Sequence, residues 1–188
     1  MAITESPTTN NGVNIEALLG ARQALTDAPP AAAFTWRGTN TWVSGTHSQT
    51  EVNGFFGLGE EQVRQSGGHT VSTDHPEHFA AGDEGSTPVE LVLSALAGCV
   101  TAGVATVAAN RGIALQSVTA TIEGDMDLQG IMGIDSDVRN GFNNVRINYE
   151  IVADATAEEI QALVAQSQKR SAVFDIVTNP TTVNVTVS

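Results

Sequence analysis

The sequence predicts an α+β fold with antiparallel sheets and one long central helix. Three observations carry this: two helix starts with reciprocal capping signatures, two long strands of strict alternation between them, and several shorter strands ahead of the first capped helix. The order helix, three or four strands, long helix, two strands, helix, strand is segregated. It is not a βαβαβ series, so a doubly wound nucleotide-binding sheet is disfavoured. A length of 188 residues suits a single domain with a real core. That domain is expected over 31–188, behind a polar tail at 1–12 expected to be disordered and a helical extension at 13–30.

In the extension, Ile15, Leu18, Leu19 and Leu25 recur at helical spacing, and Asp27-Ala-Pro-Pro30 stops the helix. Strands are expected at 33–37, 41–44 and 46–53, with Phe34 and Trp36 sharing one face of the first. Residues 54–87, rich in Gly, His and acids, read as one strand near His69–Thr73 and a long surface loop at 74–86. A loop of that length usually serves a site or an interface.

Thr87-Pro-Val-Glu90 is a capping box with proline at the first helical position. The helix it opens is expected to reach Asn110, where Arg111-Gly112 supplies a last-turn cation and a stop. Leu91 to Ala109 is a run of 19 uncharged residues, long enough nominally for a membrane span. Its alanines and glycines, without basic or aromatic flanks, read instead as a helix buried on most sides. Val118, Ala120 and Ile122 alternate with polar residues over 117–127, as do Val145, Ile147, Tyr149 and Ile151 over 144–152. The apolar link 128–135 is expected to pack on something. A second capping box, Thr156-Ala-Glu-Glu159, opens a helix with Ile160, Leu163, Val164 and Ser167 on its apolar side and Lys169 and Arg170 in its last turn. A short helical turn at 171–177 and a closing strand through Val183, Val185 and Val187 complete the chain.

Eight Lys+Arg against 21 Asp+Glu leave a formal charge of −13, which repels phosphate backbones and anionic membrane surfaces. The absence of a basic, apolar leader points to the cytoplasm. The single cysteine, Cys99, excludes an intramolecular disulfide and a Cys-rich zinc site, but not a reactive thiol. Set about three turns into the long helix, Cys99 lies beyond the reach of the helix dipole, so a thiolate there needs a cation from elsewhere. Arg37 and Arg139 are the candidates. The alternative is a small inert core residue. His75 and His78, three apart beside Asp74 and Glu77, are a candidate metal pair that lacks a motif for further ligands, so no metal or cofactor is expected. Glu90 has a full explanation as a cap.

Pro88-Val-Glu-Leu-Val-Leu-Ser-Ala-Leu-Ala-Gly-Cys99 resembles the central-helix signature of the OsmC/Ohr superfamily of osmotically inducible and organic-hydroperoxide-resistance proteins. The likeness continues through Gly124–Asp127, Gly130–Gly133, Val138–Phe142, Ser171–Asp175 and Thr178–Pro180. The resemblance implies an intertwined homodimer and thiol-dependent reduction of organic hydroperoxides. It places Cys99 at the peroxide-attacking position, with Glu90 and Arg37 as approximate matches to the family's acid and arginine. Ser171 occupies the position of the second, resolving cysteine, so the two-cysteine cycle cannot run within this chain. Two readings follow: single-cysteine catalysis with an external thiol, or a non-catalytic protein holding a small hydrophobic or thiol-containing ligand in the dimer cleft.

Overall fold

In a computed structural model that describes residues 11–187, the chain divides into two compact units, one of residues 16–92 and one of residues 93–187 with 11–15. The first carries α1 (Ile15–Asp27), β1 (Thr35–Trp36), β2 (Thr39–Ser44), β3 (His47–Val52), β4 (Gly54–Gly57), β5 (Glu60–Val63) and β6 (His69–Thr73). These make two antiparallel three-stranded sheets, β1-β4-β5 and β2-β3-β6. The expected strands at 41–44, 46–53 and 69–73 are present. The one expected at 33–37 shrinks to two residues, because β4 pairs only with Thr35 and Trp36.

Strands β4 and β5 are a correction: the sequence reading has no hairpin there. It turns on Leu58 (φ 56°) and Gly59 (φ 84°), both left-handed, the geometry of a tight hairpin turn. Leucine is a rare choice at such a position, so the turn carries no clear signal. Phe34, Trp36 and Phe55 stack across this sheet with centroids 4.6–5.9 Å apart. A Cβ at Gly57 would stand 2.3 Å from the Phe34 ring, so only glycine lets the ring lie on the strand.

The loop after β6 is built on one buried carboxylate. Asp74 accepts hydrogen bonds from the Thr46 hydroxyl (2.5 Å) and from the N–H groups of His75 (2.8 Å), Gly82 (3.2 Å) and Glu84 (3.1 Å). The Thr46 hydroxyl and these N–H groups outweigh the cost of burial and hold the carboxyl at about 2, against an ordinary 3.8.

Helix α2 (Pro88–Asn110) begins on the reciprocal cap read from the sequence: Glu90 accepts from the Thr87 N–H (2.8 Å), and Thr87 Oγ1 accepts from the Glu90 N–H (3.3 Å). The second unit then adds β7 (Leu115–Asp125), α3 (Leu128–Ile131), β8 (Asn144–Ala153), α4 (Ala157–Arg170) and α5 (Ala172–Thr178). Strands β7 and β8 pair antiparallel from Leu115–Ala153 to Asp125–Asn144. The cap of α4 forms as read, between Thr156 and Glu159. Val107, Ala108, Ile113 and Leu163 are the centre of this unit's core. Asn11 closes one edge, giving its Nδ2 hydrogen to the Ile113 carbonyl and taking the Leu115 N–H, so this end of the polar tail is ordered. Residues 1–10 of that tail lie outside the described residues.

Helix α4 crosses α2 at a glycine. A Cβ at Gly103 would stand 2.0 Å from Ser167 Oγ, which donates instead to the Val100 carbonyl at 2.5 Å. Both Ser167 and Leu163 are fully enclosed.

Three further expectations are corrected. Helix α2 buries only six of its 23 residues, so it is not enclosed on most sides within one chain. Among the described residues it is the one helix long and apolar enough to cross a membrane, with a mean hydropathy of 2.0. The link 128–135 packs only in part: Gly130 of α3 lies against the backbone of Val138 and Arg139, but Ile131, Met132 and Ile134 stay exposed. The closing strand is absent: residues 180–187 have no strand partner, and Val183, Val185 and Val187 are 78–97% exposed.

This packing gives two testable outcomes. Gly103→Ala forces α4 away from α2 and lowers stability by about 1–3 kcal/mol, read by denaturant unfolding. The Asp74 carboxyl is depressed on folding, so its contribution is complete above about pH 4 and lost as pH falls through 2. Thermal melts of the protein and of Asp74→Asn therefore differ at about pH 7 and converge at about pH 2.

Candidate functional site

Four residues forward of the Ser167 contact, α4 ends at Ser171, which is also the N-cap of α5. Its Oγ accepts the Phe174 N–H at 3.1 Å, which leaves the hydroxyl hydrogen free to point elsewhere. It points at Cys99. The Ser171 hydroxyl and the N–H groups of Val173 and Ala172 face the half-buried sulfur of Cys99. Burial pushes the thiol up, and these three donors outweigh it, so Cys99 lies below the ordinary cysteine range. The donors are all neutral. Within the second unit the groups that lower the thiol pKa are a side-chain hydroxyl and two backbone N–H groups.

The other sequence-named residues are engaged differently. Arg37 makes a two-pronged pair with Glu61 at 2.6 and 2.8 Å, on the exposed side of the first unit. The Glu90 carboxylate accepts both the N–H and the hydroxyl of Thr87, which hold it below its ordinary range. It is a charged cap acceptor. Arg139 is exposed on the loop between α3 and β8 and forms no ion pair among the described residues. His75 stands edge-on to Phe79, and no three His, Cys, Asp or Glu side chains gather to hold a metal among the described residues. The N–H groups of Ala172 and Val173 are the part that sequence reasoning missed. The signal was available: serine directly before a short helical run is a cap, and a cap aims its N–H groups outward.

Beside this cluster the second unit holds a cavity of about 510 Å³. Leu96 and Val100 reach it from α2, Ile147 and Tyr149 from β8, and Phe174 from α5, with Arg139 on its wall. The Tyr149 hydroxyl is turned away into α2, 3.2 Å from Thr101 Oγ1 and donating to the Ala97 carbonyl at 3.3 Å.

Residues 81–186 match the family described as OsmC-like protein, more than half of the chain. The chain belongs to the OsmC-like family. Solved structures of the same fold agree. An OsmC-like protein from Mycoplasma pneumoniae is 16% identical, with 77% of this chain and 87% of that one covered at a TM-score of 0.59. An OsmC-like protein of unknown function from Vibrio cholerae is 12% identical (74% and 91% covered, TM-score 0.56). An organic hydroperoxide resistance protein from Legionella pneumophila is 17% identical (76% and 89% covered, TM-score 0.52). No curated protein matches the sequence. This OsmC-like chain shares with them the α+β frame of antiparallel sheets and a long helix, and in this chain that helix carries the single cysteine, Cys99.

Removing the Ser171 hydroxyl takes away one of the three donors. Ser171→Ala raises the Cys99 pKa and slows its alkylation by iodoacetamide several-fold at about pH 6–7, while at about pH 10 the two proteins react alike. Thiolate absorbance against pH measures the shift directly.

Proposed function

We propose that this OsmC-like protein reduces organic hydroperoxides with a single cysteine, Cys99, and an external thiol. The observation that carries this reading is the set of three neutral donors on the Cys99 sulfur, one of them the hydroxyl of Ser171 where the family resemblance implies a second thiol. A thiolate in that cradle attacks the terminal peroxide oxygen. The O–O bond breaks, the sulfur is oxidised to a sulfenic acid, and the alkoxide takes a proton to leave as the alcohol. Ser171 cannot form a disulfide. An external thiol therefore attacks the sulfenic sulfur, releasing water and leaving a mixed disulfide, and a second external thiol restores Cys99. A reducing cytoplasm is the compartment in which such a thiol is abundant.

The active assembly on this reading is a homodimer. The uncovered small-residue face of α2, at Ala95, Gly98 and Ala102, and the exposed alternating valines 183–187 support it, because a second copy would bury both. Light scattering at micromolar concentration gives twice the 19.5 kDa chain mass on this reading, and the single-chain mass rejects the dimer.

Stopped-flow mixing with an alkyl hydroperoxide and an external dithiol tests the chemistry. The protein consumes peroxide with stoichiometric thiol oxidation, and Cys99→Ser falls to the uncatalysed rate. Equal rates in the two proteins, or no thiol oxidation, overturn the reading. Ser171→Cys supplies the absent resolver: after one equivalent of peroxide it carries an intramolecular disulfide, seen as the loss of two hydrogens in the intact mass and of both free thiols.

A further inference from the structure

We propose that the cavity between α2, β8, α4 and α5 binds a small amphipathic carboxylate, its charged end on Arg139 and its alkyl body against Leu96, Val100, Ile147 and Phe174. The inference is independent of the peroxide chemistry, because it requires no reaction at Cys99. The first argument is size. A volume of about 510 Å³ lies inside the range of small-molecule sites, roughly 300–1,000 Å³. The second is the wall. Its body is hydrocarbon and aromatic ring, and its polar members are amides, hydroxyls and one guanidinium.

The third argument is charge. The chain has 21 acidic residues, and none of them lines this cavity. Arg146, two residues along β8 from the lining Asn144, is taken by Asp125 and Glu123, and Arg37 is taken by Glu61. Arg139 is left without a carboxylate among the described residues, beside an acid-free apolar space. A carboxylate on a flexible alkyl chain satisfies both parts, and a guanidinium accepts it with two parallel hydrogen bonds.

The fourth argument is that the loop carrying Arg139 is held in place. A Cβ at Gly130 would lie 2.6 Å from the Val138 carbonyl and 3.1 Å from that of Arg139, so α3 packs directly on the loop backbone. The Phe142 ring lies on Gly124, where a Cβ would stand 2.5 Å from it. The Asn143 N–H donates to the Asp125 carbonyl at 2.8 Å. Gly124 and Gly130 thus seat the loop against β7 and α3. A guanidinium on a fixed loop loses less freedom when it binds.

Calorimetric titration of the reduced full-length chain at about pH 7 tests this, with sodium octanoate and 1-octanol as probes and no peroxide present. Octanoate binds saturably with one site per chain, and 1-octanol about ten-fold more weakly. Arg139→Gln lowers octanoate affinity about ten-fold and leaves 1-octanol unchanged, and Arg139→Lys recovers part of the loss. Arg139 is exposed, so these variants fold; circular dichroism matching the parent protein verifies it. Three results overturn the proposal: equal affinity for the two probes, octanoate affinity unchanged in Arg139→Gln, or no saturable binding of either probe. The last is also the result expected if a second copy of the chain fills the cavity. None of these outcomes bears on peroxide reduction, which is scored by thiol oxidation alone.

Discussion

The geometry of the thiol site depends on one close approach, that of α4 to α2 at Gly103. Because no Cβ intervenes there, Ser167 reaches the Val100 carbonyl with its hydroxyl. The two helices run past each other in opposite senses. One turn forward on α4 is Ser171, and one turn back on α2 is Cys99, so the contact that joins Ser167 to Gly103 also brings Ser171 to the sulfur. The chain then turns sharply into α5, and the N–H groups freed by that turn complete the set of donors. A bulkier residue at 103 would leave Cys99 on the same helix face with nothing facing it.

The charge balance explains why the site is built in this way. With eight basic residues against 21 acidic ones, cations are scarce, and the two arginines with firm carboxylate partners sit at exposed positions. Where an anion must be held inside, the protein uses neutral dipoles. Asp74 is satisfied by one hydroxyl and three backbone N–H groups, and the Cys99 sulfur by one hydroxyl and two. The physics is the same in both places: oriented N–H and O–H groups that are already in position stabilise negative charge without importing a positive one.

What was legible in the sequence is local in origin. The caps at Thr87 and Thr156 are satisfied within four residues, so their signatures survive any tertiary context. The alternation of Val145, Ile147 and Tyr149 records one dry face of a ribbon and needs no knowledge of what covers it. The hairpin of β4 and β5 was hidden because its turn places a leucine in a left-handed conformation and its strands do not alternate cleanly. The closing valines carry the strand pattern without a partner in the same chain, and pattern alone cannot supply the neighbour a strand needs. At the site, Cys99 and Ser171 were both singled out, but their meeting depends on a helix crossing between residues 67 apart in sequence. Two of the groups that face the sulfur are backbone amides, which every sequence contains and none advertises.

The hydroxyl at position 171 has a consequence for timing. A protein with two facing thiols converts its sulfenic acid to a disulfide at a rate fixed by its fold, and only the disulfide then waits for an outside reductant. Here the sulfenic acid itself waits, because nothing inside the chain can resolve it, and the waiting time is set by how often an outside reductant arrives. On the proposed chemistry the fraction of molecules standing oxidised therefore tracks the ratio of oxidant to reductant in the surroundings, and the protein doubles as a gauge of that ratio.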